Sequence, residues 1–158
     1  MITRILSNLR RQERAVALLE MLQKEEFSHL SARDPGAVAS IEFSIQELLR
    51  QLAVERTSLH QVYAAMDPAA KRLVDVVDRF DADSARAARE LCAHIEAAEK
   101  RCAMQASRNY AMALGLYDVA KGSMDNLQRL LIPQKGLYGS SGRMSTGHPG
   151  PGVISGRF

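Results

Sequence analysis

The sequence contains no tryptophan, and aromatic residues make up only 5% of it. Aromatic rings contribute the most apolar area per residue to a core, so their scarcity argues against the thick globular core of most enzymes. Cysteine is scarce as well. Cys92 and Cys102 are the only two, and on a single helix their spacing corresponds to roughly 15 Å along the axis. That separation excludes a disulfide within the helix and leaves both as small apolar residues. No apolar run approaches the ~18 residues needed to span a membrane, so stable insertion is not expected. The N-terminus lacks the apolar stretch of a secretory signal. Its Arg-rich start has the composition of a mitochondrial presequence but reads equally well as the start of a helix, so a cytoplasmic protein is expected.

What the chain does have is Leu, Ala, Met, Glu, Arg and Gln, residues that lose little freedom in a helix. Its 21 basic and 18 acidic residues give a formal charge of +3, and the two signs are interspersed. A nucleic-acid binder concentrates Lys and Arg on one face, so no nucleic-acid partner is expected. The densest basic stretch, Arg4, Arg10, Arg11 and Arg14, reads either as a solvated helix face or as a functional patch.

Hydrophobic spacing predicts an all-α protein. Ile2, Leu6, Leu9, Val16, Leu19, Leu22, Phe27 and Leu30 predict a first helix over Ile2–Leu30. Asp34 followed by Pro35 is a helix start, the carboxylate accepting from free N–H groups and proline fitting the first turn. The second helix carries the cleanest heptad: Val38, Ile41, Ile45, Leu48, Leu52, Glu55, Leu59, Val62 and Met66. Asp67-Pro68 repeats the start signal and predicts a third helix to about Phe80. The polar Asp81–Ser84 stretch is a break or a kink. A last helix over about Ser84–Leu131 carries a main seam through Leu91, Ile95, Ala98, Cys102, Gln105, Asn109, Met112, Leu116 and Val119. The expected architecture is an elongated antiparallel bundle or coiled-coil hairpin of three to four helices over residues 1–133. From Gly136 onward lie seven of the ten glycines and no acidic residue, so residues 134–158 read as a flexible Gly/Ser/Pro-rich tail, too poor in apolar surface to order itself.

No reaction chemistry is legible, and neither a cofactor nor a metal is expected. His29, His60, His94 and His148 have no zinc-ligand spacing. Glu90 and His94 share a helix face and read as a surface ion pair. Asp81 and Asp83 begin like a calcium loop, but Arg86 stands where that loop needs glycine and Cys92 where it needs glutamate. Gly139-Ser-Ser-Gly142 has neither the preceding strand nor the Gly-Lys-Ser/Thr of a phosphate loop.

The informative residues lie along the seams. Glu55, Gln105 and Asn109 occupy positions that packing would give to Leu. Such residues lower stability and fix register, or they contact a partner. If register alone keeps Asn109, replacing it by Leu should raise thermal stability. A second stripe exists only in the distal half of the last helix: Tyr110, Leu114, Tyr117, Met124 and Leu131, with Lys121 and Gln128 filling its register. It is rotated by roughly 100° or more from the main seam. Either both stripes pack inside the protein, or the second is a docking groove for an amphipathic helix.

Several of these features together resemble the FlgN family of flagellar export chaperones. The resemblance rests on the first helix, the Asp34–Val38 restart, Ile41-Glu-Phe-Ser-Ile-Gln-Glu-Leu-Leu49 leading to Glu55-Arg56, Asn109, and Tyr138-Gly139-Ser-Ser-Gly142-Arg143. Leu137 departs from it, standing where a small polar residue is expected, as does the break near Asp81. The resemblance implies a non-enzymatic chaperone for the hook-associated proteins that join hook to filament. It further implies client contact through the distal last helix and the tail, Tyr138 included, and delivery to the export gate and its ATPase complex. The bare pattern also permits a generic coiled-coil adaptor or dimerisation module, or a basic helical nucleic-acid-binding regulator using the Arg4–Arg14 face.

Overall fold

The computed structural model describes residues 1–131. Three helices account for most of them: α1 (Ile2–Ala32), α2 (Pro35–Met66) and α3 (Ala82–Leu131). No strand occurs among the described residues. The chain divides into two compact units, Met1–Tyr117 and a second beginning at Asp118. The tail expected from residue 134 onward lies outside the described residues.

The α1–α2 corner is built by local chemistry. Arg33 turns the chain with a left-handed φ of 57°, and its N–H and that of Asp34 donate to Leu30 and His29 carbonyls. These bonds satisfy acceptors that a helix end otherwise leaves free. Asp34 then caps α2, its Oδ1 accepting from the Ala37 N–H at 3.0 Å, with Pro35 in the first turn. So short a corner forces α2 to run antiparallel to α1, and the two helices pack closely against each other.

The third helix expected over residues 67–80 does not form. Asp67 accepts from Ala69 within a turn, and two short 3-10 segments follow, Leu73–Asp75 and Val77–Arg79. Asp75 accepts from the N–H groups of both Lys71 and Arg72 at 2.9 Å, which bends the chain where a helix would have to continue. Val74, Val76 and Val77 are β-branched and weak helix formers. The gain from this path is burial: Leu73, Val76 and Val77 are buried and join the core cluster. Arg79 ties the connector back through the Met66 carbonyl and the Asp67 carboxylate. Asp81 then accepts from the Ser84 N–H at 2.9 Å, so the polar stretch before α3 is a helix start and not a kink.

α3 is parallel to α1. His94 meets Glu13, Cys102 meets the Val16 carbonyl and Asn109 meets the Gln23 carbonyl, at sequence separations of 81 and 86. α2 and α3 are antiparallel, joined by Arg56–Glu99. Met1–Tyr117 is therefore an up-down-up three-helix bundle. Its core holds Ile5, Leu9, Val16 and Leu19 of α1, Ile45, Leu48, Leu52 and Leu59 of α2, and Ala88, Ile95, Ala98 and Cys102 of α3. The α2 heptad is buried as expected at Ile41, Ile45, Leu48, Leu52, Leu59 and Val62. The α1 pattern is corrected: its buried face is Ile5, Asn8, Leu9, Gln12, Val16, Leu19, Gln23 and Leu30, while Phe27 is exposed.

Leu52 is buried and Phe43 lies on the outer face of α2, 77% exposed. Leu52→Ala should therefore cost about 2–5 kcal/mol, and Phe43→Ala should stay within about 0.5 kcal/mol, as read by urea unfolding.

Candidate functional site

Two polar layers interrupt the core. In the first, Asn8 Nδ2 donates to the Glu55 carboxylate at 2.6 Å and to its carbonyl at 2.9 Å. Arg11 adds a two-pronged contact to the same carboxylate, 2.8 and 2.9 Å, and Gln12 donates to Asn8 Oδ1 at 2.6 Å. Glu55, the expected polar seam residue of α2, is thus the centre of a network with α1. Arg11 first, and Asn8 with it, hold its carboxyl below the usual glutamate range. The Arg4–Arg14 group is correspondingly divided: Arg11 is engaged, while Arg4, Arg10 and Arg14 are exposed.

The second layer contains the other two expected seam residues. Asn109 is 4% exposed. Its Nδ2 donates to the Gln23 carbonyl at 2.7 Å and to Glu26 Oε2 at 2.6 Å, and its Oδ1 accepts from Gln105 at 2.9 Å. Gln23 is itself buried, and its side-chain Oε1 has no partner among the described residues. The sequence reading passed over Asn8, Gln12 and Gln23. Their signal was present, because Ile5, Asn8, Gln12, Val16, Leu19 and Gln23 step by threes and fours once polar residues are admitted to the seam. Nor does His94 pair with Glu90 as expected; it reaches Glu13 of α1 at 2.9 Å.

Beyond Asn109 the burial of α3 fades. Met112 and Leu116 are half-buried, and Val119, expected in the main seam, is exposed. The register explains the change within the bundle: the same offset places the end of α1 level with about Leu116. The expected second stripe faces out. Within the bundle Tyr110 is 71%, Leu114 46% and Tyr117 61% exposed. In the second unit every residue of α3 to Leu131 is exposed, Met124 and Leu131 among them. Packing of this stripe inside the protein is thereby set aside for these five residues. Tyr138 lies outside the described residues. Gly115 and Gly122 have open space around them, and each weakens the helix by roughly 1 kcal/mol relative to alanine.

Among the described residues no group of His, Cys, Asp and Glu is placed to hold a metal ion, and no helix is long and apolar enough to cross a membrane. Both cysteine thiols are pushed up by burial, away from the thiolate form that reacts. The described fold defines a class, the all-α helical bundles. The chain belongs to the FlgN family: the family model described as FlgN protein matches residues 1–146. That family is one of flagellar export chaperones rather than enzymes. No curated protein and no solved structure matches the chain.

Because Asn109 makes buried hydrogen bonds, Asn109→Leu should lower stability by about 1–3 kcal/mol, opposite to what register alone predicts; a raised melting temperature would contradict this. Glu55 is one contributor to the acid response. Its folded pKa is depressed, so its contribution is complete above the ordinary glutamate value, about 4.3, and is lost as pH falls through the lowered folded value. The stability gap between the natural chain and Glu55→Gln, measured by urea unfolding, should therefore close in acid. A gap independent of pH would contradict the assignment.

Proposed function

We propose that this protein is a cytoplasmic chaperone of the flagellar type III export route, binding hook-associated proteins of the hook–filament junction and delivering them to the export gate and its ATPase complex. The observation that carries this is the outward face of Tyr110, Leu114 and Tyr117 on α3, left exposed at the end of the bundle where burial fades. Clients exported unfolded present amphipathic helices whose apolar sides invite aggregation until assembly covers them. An unpartnered helix face offers such a helix a partner in the meantime. Met124 and Leu131, exposed in the second unit, and Tyr138 are proposed as further client contacts. Family membership supports the general role, and the exposed residues support the choice of surface.

The test replaces Tyr117 and Leu114 together by Ser. Each side chain buried against a client helix contributes about 1.5–3 kcal/mol, so capture of a hook-associated protein's C-terminal helix should weaken by about two orders of magnitude or more. The melting temperature should hold. Leu116→Ser, on the half-buried seam, should instead lower stability. If the double variant unfolds while its remaining folded fraction binds normally, the face is not the client site.

A further inference from the structure

The acidic residues of α1 are all engaged. Glu13 meets His94 and Glu20 meets Arg101, both on α3, and Glu20 also holds Lys24. Glu26 accepts from Asn109 of α3, and Glu25 lies beside His29. The arginines of the same helix are placed differently. Arg11 is held by Glu55, whereas Arg4, Arg10 and Arg14 are exposed and have no ion-pair partner among the described residues. At 100° per residue these three fall within about 120° of arc, directed away from the buried Ile5, Leu9 and Val16. Leu18 and Met21 share that arc and are 46% and 66% exposed. Charges interspersed along the sequence are thus separated in space, with most of the acids turned to α3 and three arginines turned outward. In water this placement is unfavourable. Arg10 and Arg14 are like charges one turn apart. Arg4 stands in a first turn that has no acidic residue, at the positive end of the helix dipole.

We propose that this outward face of α1, from Arg4 to Met21, adsorbs to an anionic membrane surface. Such a surface offsets each unfavourable placement, because it supplies a plane of negative charge to arginines that have no partner in the chain. Leu18 and Met21 suit the same partner, since apolar side chains beside arginines enter the boundary between headgroups and acyl chains. A nucleic-acid backbone offers the arginines as much charge but gives the apolar pair nothing to enter. No helix among the described residues is long and apolar enough to cross a bilayer, so the contact is a reversible one at the surface. It is formed by a different helix from the Tyr110–Tyr117 face, and the two contacts do not compete for the same side chains. Its purpose, holding the chaperone at the membrane that carries the export gate, rests on the reading above. The contact itself does not, and it is tested without client or gate.

The experiment is sedimentation of the whole chain with vesicles at low salt, either phosphatidylcholine alone or equal parts phosphatidylcholine and phosphatidylglycerol. The natural chain is compared with Arg4→Gln, Arg10→Gln and Arg14→Gln combined. A control combines Lys71→Gln, Lys100→Gln and Arg108→Gln, which removes the same charge from exposed positions elsewhere. The control is needed because the three arginines equal the formal surplus of the whole chain, +3. The natural chain should bind only the anionic vesicles, and added salt should release it. The α1 variant should bind about a hundredfold more weakly, and the control should stay within a few-fold of the natural chain. If the α1 variant fails to fold, the natural chain still decides the matter. Anionic vesicles should shield Met21 from oxidation and leave Met104, 60% exposed on α3, as reactive as before. No binding to anionic vesicles, equal binding to neutral ones, equal losses in both variants, or equal shielding of the two methionines overturns the proposal. So does binding of a DNA duplex without binding of the vesicles.

Discussion

The bonds of Asn109 to α1 fix the position of α3 at the end of the bundle where apolar packing runs out. Below that point α3 contributes Ile95, Ala98 and Cys102 to a shared core. Above it the seam opens through half-buried Met112 and Leu116. α1 has 31 residues and α3 has 50. Within the bundle, the offset between these parallel helices brings the end of α1 level with about Leu116. The layer of Gln23, Glu26, Gln105 and Asn109 therefore sits where apolar packing stops deciding the position of α3, and directional hydrogen bonds take over.

The first polar layer performs a related task at the α1–α2 contact. A seam of leucines alone would tolerate a shift by one heptad, since its positions repeat every seven residues. Asn8, Arg11 and Glu55 have one matching arrangement, because a displaced pairing leaves a carboxylate and an amide without partners. Surface ion pairs such as Arg50–Glu47 and Arg86–Asp83 add little by comparison, being exposed to water and salt. Register thus comes from a few buried polar groups, and cohesion comes from the aliphatic core around them.

Much of this was legible in the sequence. The α2 heptad, the Asp34-Pro35 start and the length of α3 follow from spacing and capping chemistry, which act locally. The second stripe was legible as a pattern, but whether it was core or surface was not, because that depends on where α1 ends relative to α3. The connector misled for a definite reason. Asp67-Pro68 has the chemistry of a helix start, yet Asp75 captures two backbone N–H groups, and Val76 and Val77 turn in to cover the core. The hydrophobic spacing of α1 does not display Asn8, Gln12 and Gln23: Asn8 is held by Glu55 of α2 and Gln12 by Asn8, and no local apolar pattern marks such positions. The bonds of Asn109 to α1 were hidden for the same reason.

In the proposed function, Tyr110, Leu114 and Tyr117 form the face that receives a client helix. The most direct measurement is an NMR titration of the isotope-labelled chain with a peptide of a hook-associated protein's C-terminal helix. The account predicts that the largest shift changes fall at Tyr110, Leu114 and Tyr117, with the Asn8–Glu55 layer and the Arg4–Arg14 stretch unchanged. Changes centred on Arg4–Arg14, or spread through the buried core while those three residues stay silent, would contradict it.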